Sequence, residues 1–196
     1  MGKEKYLKEI ELLFKKSPIV KYSSINRIIK NKNNVKQYDK RFINYLLKKN
    51  KIKRITKGYY TIFDDSSLAV LCFQPSYLGL QDALSLNNLW EQETIPVIIT
   101  IKKIRPGIRE ILGNNVLIRR IKKKYFFGIQ YIQQDNIAFP YSDIEKTFID
   151  MVYFKEKMDK DVINNFKEKI NNKKLNKYLS IYPKRIRSKV INILKS

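Results

Sequence analysis

At Asn50 the repeat of apolar residues changes from helical to extended, and that change narrows the folds open to the chain. Upstream, Tyr6, Leu7, Ile10, Leu13 and Phe14 recur at helical spacing, which predicts an amphipathic helix over 3–16. It should end before Ser17-Pro18, because the residue ahead of a proline is pushed out of the helical region. Ser23-Ser24 offers an N-cap to a short helix carrying Ile25, Ile28 and Ile29, and the Asn-rich stretch 31–35 reads as a turn. A third helix is expected over 37–49, with Phe42, Ile43, Leu46 and Leu47 on its apolar side. Downstream, 52–55 and 59–63 are short β-type runs separated by Thr56, Lys57 and Gly58, and Gly58 can supply the positive φ of a tight hairpin turn.

Three helices followed by a hairpin is the layout of a winged helix-turn-helix, and the charge points the same way. Residues 1–60 hold 18 Lys/Arg against 4 Asp/Glu, so +14 of the chain's net +23 lies there. The counts for 61–140 are 9 against 7, and for 141–196 they are 14 against 7. An AT-rich genome would enrich Lys, Asn, Ile and Tyr throughout the chain, whereas this excess is concentrated at one end, as a binding face for a polyanion would be. At about 100° per residue, Gln37, Lys40, Arg41, Asn44 and Lys48 share the polar arc of the third helix. In such a fold this helix enters the major groove and the hairpin wing follows the backbone or minor groove. Arg41 suits guanine and Gln37 or Asn44 suits adenine, while Lys40, Lys48, Lys53, Arg54 and Lys57 suit phosphates. Ser24 and Arg27, on the second helix, complete the candidate DNA-binding set.

The acidic run at 64–67 reads as a boundary between a DNA-binding domain, 1–63, and a C-terminal domain, 67–196. In the second domain, 67–73 and 76–90 read as helices, and the continuous apolar run 95–101 reads as a strand buried on both faces. Further strands are expected at 115–121, 125–133 and 136–140, followed by helices at 142–156, 159–170, 173–181 and 184–195. The whole is an α+β protein, with a mixed α/β second domain that ends in helices.

Composition closes off much chemistry. The single Cys72 and the absence of histidine exclude an internal disulfide, His- or Cys-based metal sites and His-dependent triads. No apolar run approaches the roughly 18–20 residues of a membrane span. A cytoplasmic protein without cofactor, metal or membrane association is expected. The segment EKTFID invites a nuclease reading through Glu145, Lys146 and Asp150, but Glu145 and Lys146 are adjacent where an Asp/Glu-x-Lys pair would need a spacer. A helix start accounts for these residues better, with Ser142 as N-cap, Glu145 completing a capping box and Lys146-Asp150 an i, i+4 pair. A non-enzyme is therefore expected. The basic cluster Arg119, Arg120 and Lys122 to Lys124 reads as a solvated strand end or as a second patch for a partner.

In order along the chain, KIKRITKGYYTI, QPSYLGLQDALSLNNL, IPVIITIKK, FFGIQ and YSDIEKTFIDMV resemble the AbiEi-type antitoxins, transcriptional regulators of type IV, abortive-infection toxin-antitoxin systems. The resemblance implies an N-terminal winged helix that represses its own operon by binding operator DNA, as a monomer or a dimer on inverted repeats. It also implies a C-terminal domain that counteracts a nucleotidyltransferase toxin in phage defence, usually without a stable complex. Many relatives carry Gly just before the first wing strand where this chain has Asn50-Lys51, and Asn also tolerates the left-handed conformation. The alternatives are a stand-alone winged-helix regulator and a protein-interaction module with no cognate toxin.

Overall fold

Three short helices pack with the first, three-stranded sheet. In the computed structural model, which describes residues 4–30, 38–92 and 94–195, these are α1 (Glu4–Lys16), α2 (Tyr22–Lys30) and α3 (Tyr38–Lys48). Their apolar faces meet in one core of Tyr6, Ile10, Phe14, Ile25, Ile29, Phe42, Ile43 and Leu46, joined by Val20 and Tyr60 from the strands and by Ile52 just ahead of β2. Tyr6 and Phe42 pack edge to face with ring centroids 5.7 Å apart. The strands are β1 (Val20–Lys21), β2 (Lys53–Thr56) and β3 (Tyr59–Thr61), in the antiparallel order β1-β3-β2.

The hairpin turns at Gly58, with φ +81°, and the β2–β3 register shifts between Arg54 and Thr56. Asn50 does take the left-handed conformation, with φ +52°. It ends α3 in a Schellman arrangement in which the Lys51 N–H donates to the Leu46 carbonyl at 2.9 Å. Two expectations need correction. The two-residue β1 is too short to show a period and was not foreseen. Ser23 and Ser24 lie inside the first turn of α2 and do not cap it; the helix starts at Tyr22, whose N–H donates to the Gly58 carbonyl at 2.8 Å. A backbone acceptor from the hairpin turn thus serves the start of α2.

The second sheet is mixed, with strands β4 (Ser76–Leu78), β5 (Val97–Thr100), β6 (Gly107–Ile111), β7 (Asn114–Arg120), β8 (Ile129–Gln134) and β9 (Ile137–Ser142). Their order is β6-β7-β5-β4-β9-β8. β4 runs antiparallel to β5 and parallel to β9, β5 is parallel to β7, and β8–β9 is an antiparallel hairpin. All four residues of β5 are buried, as its apolar run implied. Helices α6 (Ile144–Phe154), α7 (Lys160–Lys169), α8 (Asn172–Leu179) and α9 (Lys184–Lys195) close the fold. They share a core in which Phe148, Phe166, Leu175, Leu179 and Val190 join Tyr77, Leu84 and Ile99.

The helix expected over 76–90 is in fact β4, the tight passage at Gly79 and the six-residue α5 (Gln81–Leu86). A Cβ on Gly79 would come within 2.8 Å of Ile99 Cδ1. Residues 67–73 form a 3-10 turn (Ser66–Leu68) followed by the one-turn helix α4 (Ala69–Cys72). The strand expected from 125 starts at Ile129, behind a 3-10 turn at Lys123–Tyr125, and β6 was not foreseen.

The protein is α+β and divides into two compact units. One comprises Met1–Cys72 with Glu110–Asn114, and the other Phe73–Arg109 with Asn115–Ser196. The acidic run at 64–67 lies a little upstream of the division at 72/73.

Candidate functional site

The polar arc of α3 and the hairpin turn line a single concavity in the N-terminal unit. Its volume is about 420 Å³, and its walls are Tyr22, Lys40, Ile43, Asn44, Arg54, Lys57, Gly58 and Tyr60. Four of the ten candidate residues, Lys40, Asn44, Arg54 and Lys57, therefore converge although they come from two elements and span 18 positions of sequence. Ile43 and Tyr60 are buried core residues that supply an apolar floor, and the cations stand on the rim. The fold explains the convergence: the core holds Phe42 and Leu46 inward, so Lys40 and Asn44 emerge together on the flank of α3 beside Ile43, while β3 ties the hairpin to β1 and thereby to the start of α2.

Ser24, Arg27, Arg41, Lys48 and Lys53 do not line this concavity. Arg41 and Lys48 are exposed on α3, Arg27 is exposed on α2, and Ser24 is half-buried there. Gln37 lies outside the described residues. Lys53 and Arg54 alternate along β2: Lys53 forms an ion pair with Asp64, whereas Arg54 lies over the Tyr60 ring, 6.0 Å from its centroid. Lys57 is exposed at the turn.

Besides Asp64, Asp39 sits among these bases. Asp39, in the first turn of α3, accepts a hydrogen bond from the Tyr22 hydroxyl. That bond, together with the Asp39 charge, pushes the Tyr22 phenol up to about 12, and the same bond holds the Asp39 carboxyl below its ordinary range. Tyr22 was missed by sequence reasoning. Its contribution depends on β1 and the hairpin turn meeting at the start of α2, and no local spacing announces that.

The EKTFID segment forms a closed cluster in the C-terminal unit. Lys146, Asp150 and Tyr77 are fully buried together: Lys146 Nζ contacts Asp150 Oδ1 and donates to the Tyr77 hydroxyl at 2.9 Å, and Tyr77 in turn donates to Asp150 Oδ2 at 2.6 Å. Burial pushes the Lys146 ammonium down and the Asp150 carboxyl up, and their mutual attraction opposes both shifts. The rings of Tyr77 and Phe127 flank the ammonium at 5.3 and 5.6 Å. Gly128, at φ +67°, allows the fit, since a Cβ there would lie 2.8 Å from Lys146 Cβ. The i, i+4 pair expected from sequence is present, but as a core element.

The capping box is not formed. Asp143 caps α6 by accepting from the Lys146 N–H at 2.8 Å, and Ser142 Oγ instead bonds Thr147 Oγ1 at 2.7 Å. Glu145 reaches across to α8, accepting from the Asn171 N–H at 2.9 Å and pairing with Lys174 at 2.7 Å. Burial alone would raise the Glu145 carboxyl, but these two donors hold it below its ordinary range. Within the cluster of Arg119 to Lys124, Arg119 pairs with Glu156 at 2.9 Å, and Arg120 and Lys122 to Lys124 are exposed.

Among the described residues no helix is long and apolar enough to cross a membrane. No family model matches the chain, and no curated protein matches it. Among solved structures it resembles the crystal structure of the Rv2827c protein from Mycobacterium tuberculosis, with a TM-score of 0.60 at 12% identity over 92% of this chain and 72% of that one. At that identity the likeness is one of fold alone.

Proposed function

We propose that the N-terminal unit is a winged helix-turn-helix that binds operator DNA, and that the protein is a transcriptional repressor and AbiEi-type antitoxin counteracting a nucleotidyltransferase toxin in phage defence. The observation that carries the DNA-binding reading is the shared concavity, where Lys40 and Asn44 of α3 meet Arg54 and Lys57 of the hairpin over the floor of Ile43 and Tyr60. An element that enters a groove and an element that follows the adjacent backbone must face the same ligand, and the concavity that α3 and the hairpin share supports that reading. Arg41 and Asn44 read base edges. Lys40, Arg54 and Lys57 take phosphates, and the apolar floor receives sugar or a thymine methyl.

The regulatory purpose rests on the sequence resemblance. The closed Lys146–Asp150–Tyr77 cluster supports the non-enzyme reading of its segment, because every polar atom of the trio is engaged within the fold and none faces solvent.

The test is binding of the full chain to its own promoter and to random duplex across a salt series. A steep fall of affinity with salt and a preference for the promoter are expected. Arg41→Ala should relax sequence preference by about 1–3 kcal/mol, while Lys57→Ala should weaken all sequences alike and lower the salt slope by about 1. Equal affinity for promoter and random DNA would remove the repressor reading. Growth rescue on co-expression with the neighbouring gene tests the antitoxin reading, and a stable co-purifying complex would favour a protein-interaction module instead.

A further inference from the structure

We infer that β8 is a dimerisation strand whose open edge pairs antiparallel with β8 of a second copy of this chain, independently of any DNA binding by the N-terminal unit. Among the described strands four lie at a sheet edge: β1 and β2 in the first sheet, β6 and β8 in the second. Such edges bear unpaired N–H and C=O groups, and charge, proline, a bulge or shortness normally blunts them against pairing with another chain. β1 has two residues, one of them Lys21, and β2 carries Lys53, Arg54 and a register shift. β6 follows Pro106 and carries Arg109 and Glu110. β8 has none of these devices. Its six residues, IQYIQQ, are uncharged in a chain of which 30% is charged, and they pair in unbroken register with β9, from Ile129 opposite Ser142 to Gln134 opposite Ile137.

The parity of the β8–β9 hairpin fixes which groups face outward. The Asp143 N–H donates to the Gly128 carbonyl at 2.9 Å, so Gly128 is a hydrogen-bonded position of the pair, and by alternation so are Gln130, Ile132 and Gln134. The intervening Ile129, Tyr131 and Gln133 turn their N–H and C=O groups to the open edge. Pro140 agrees with this parity, because it stands opposite Tyr131, where its missing N–H costs the β8–β9 ladder nothing. The three outward positions are symmetric about Tyr131. An antiparallel strand centred there sets Tyr131 opposite the partner's Tyr131 and Ile129 opposite the partner's Gln133, and each pair can exchange both of its main-chain hydrogen bonds. The two Tyr131 rings then lie on one face of the joined sheet, covering a side chain that is 72% exposed in the single chain.

The occupant is a second copy and not an unrelated strand. At a net charge of +23, two copies repel wherever their basic surfaces meet, and β8 is an edge at which they touch without opposing like charges. Two-fold pairing also satisfies both β8 edges at once and closes the assembly. Head-to-tail pairing of β8 with β6 would instead set it against Arg109 and Glu110 and leave a free edge at each end.

The experiment measures the monomer–dimer equilibrium of the full chain by analytical ultracentrifugation over a concentration series, without nucleic acid. A reversible dimer is expected, and it should tighten as salt rises, because screening relieves the repulsion between two cationic chains. Tyr131→Lys places like charges opposite each other at the two-fold axis and should raise the dissociation constant about tenfold. Ile108→Lys adds the same charge at an exposed position of the β6 edge and should leave the constant near wild type. An equimolar mixture of Tyr131→Lys and Tyr131→Glu should recover the dimer, since opposite charges then meet at the axis. Tyr131→Pro, which removes an outward N–H and no bond to β9, should also favour the monomer. Circular dichroism and thermal unfolding confirm that each variant is folded. Self-pairing through β8 is overturned if the wild-type chain stays monomeric throughout the series, including the case in which β8 captures a strand of another protein instead. It is also overturned if Tyr131→Lys and Ile108→Lys weaken the dimer alike, as net charge alone would dictate, or if the mixture fails to recover it. Lys57→Ala should dimerise like wild type, so failure of the DNA-binding reading would leave this result standing.

Discussion

The N-terminal concavity and the start of α6 both bring lysine, tyrosine and aspartate together, and they do so to opposite ends. At the concavity Lys40 and Lys57 stand at an open rim and are free to meet a ligand. At α6, Lys146 has found its counter-ion and its hydroxyl within the fold and is sealed from water. A cation whose partners are internal specifies structure, while one whose partners are lacking is available for recognition. Residue type alone does not separate the two cases, and burial together with an account of every donor and acceptor does.

The sharpest way to break this comparison is to open the buried pair. Asp150→Ala leaves Lys146 charged and unpaired in the core, and should cost about 3–5 kcal/mol in urea unfolding, enough to threaten folding of the C-terminal unit. Lys146→Met combined with Asp150→Leu should recover much of that loss, because removing both ions is far cheaper than stranding one. If Asp150→Ala is nearly neutral, the pair is not a core element and the contrast fails.

Next in size is Gly128→Ala. The residue combines a left-handed φ with a 2.8 Å approach to Lys146 Cβ, so a loss of about 1–3 kcal/mol is expected by thermal unfolding.

Lys40→Ala with Lys57→Ala addresses the other side of the comparison. Stability should stay within about 0.5 kcal/mol of wild type, as for exposed positions. The salt slope of DNA binding should fall by about 2. A large stability loss without a change in slope would show that these cations serve the fold after all.

The smallest expected effect is that of pH on Glu145. Its carboxyl is held below the usual 4.5 by Lys174 and the Asn171 N–H, so its contribution is present above that value and is lost as pH falls through the lowered one. Glu145→Gln should therefore flatten the acid limb of the stability curve by up to about 1 kcal/mol, measured by denaturant titration from pH 6 to pH 3.

How much could be read from sequence follows the same division. The helices α1 to α3 and α6 to α9 and the buried β5 were legible because their periods extend over several residues, and Gly58 and Asn50 were legible because their backbone conformations favour particular residues. β1, β4 and β6 were not. Strands of two or three residues, such as β1 and β4, show no alternation and are defined by neighbours distant in sequence, whereas the five-residue β6 holds only two apolar side chains, Ile108 and Ile111, which do not fall on one face. The cap of α6 was displaced by one residue because Ser142 and Asp143 are equally able acceptors, and packing decides between them. On α3 the site residues could be grouped from helical spacing, but their meeting with Arg54 depends on the hairpin register, and Tyr22 and Tyr77 gave no local sign of their roles.

On the proposed DNA-binding reading, Asp39 gives the basic face a direction. A polyphosphate strand drifting across a uniformly positive surface can settle in either orientation and at many offsets, whereas a fixed carboxylate at the head of α3 penalises every pose that brings a phosphate onto it. Because Tyr22 anchors that carboxylate, it cannot swing aside to accommodate a misplaced strand. On that reading the Asp39 carboxylate acts as a keying post among the bases, disfavouring wrong dockings at the small expense of overall attraction.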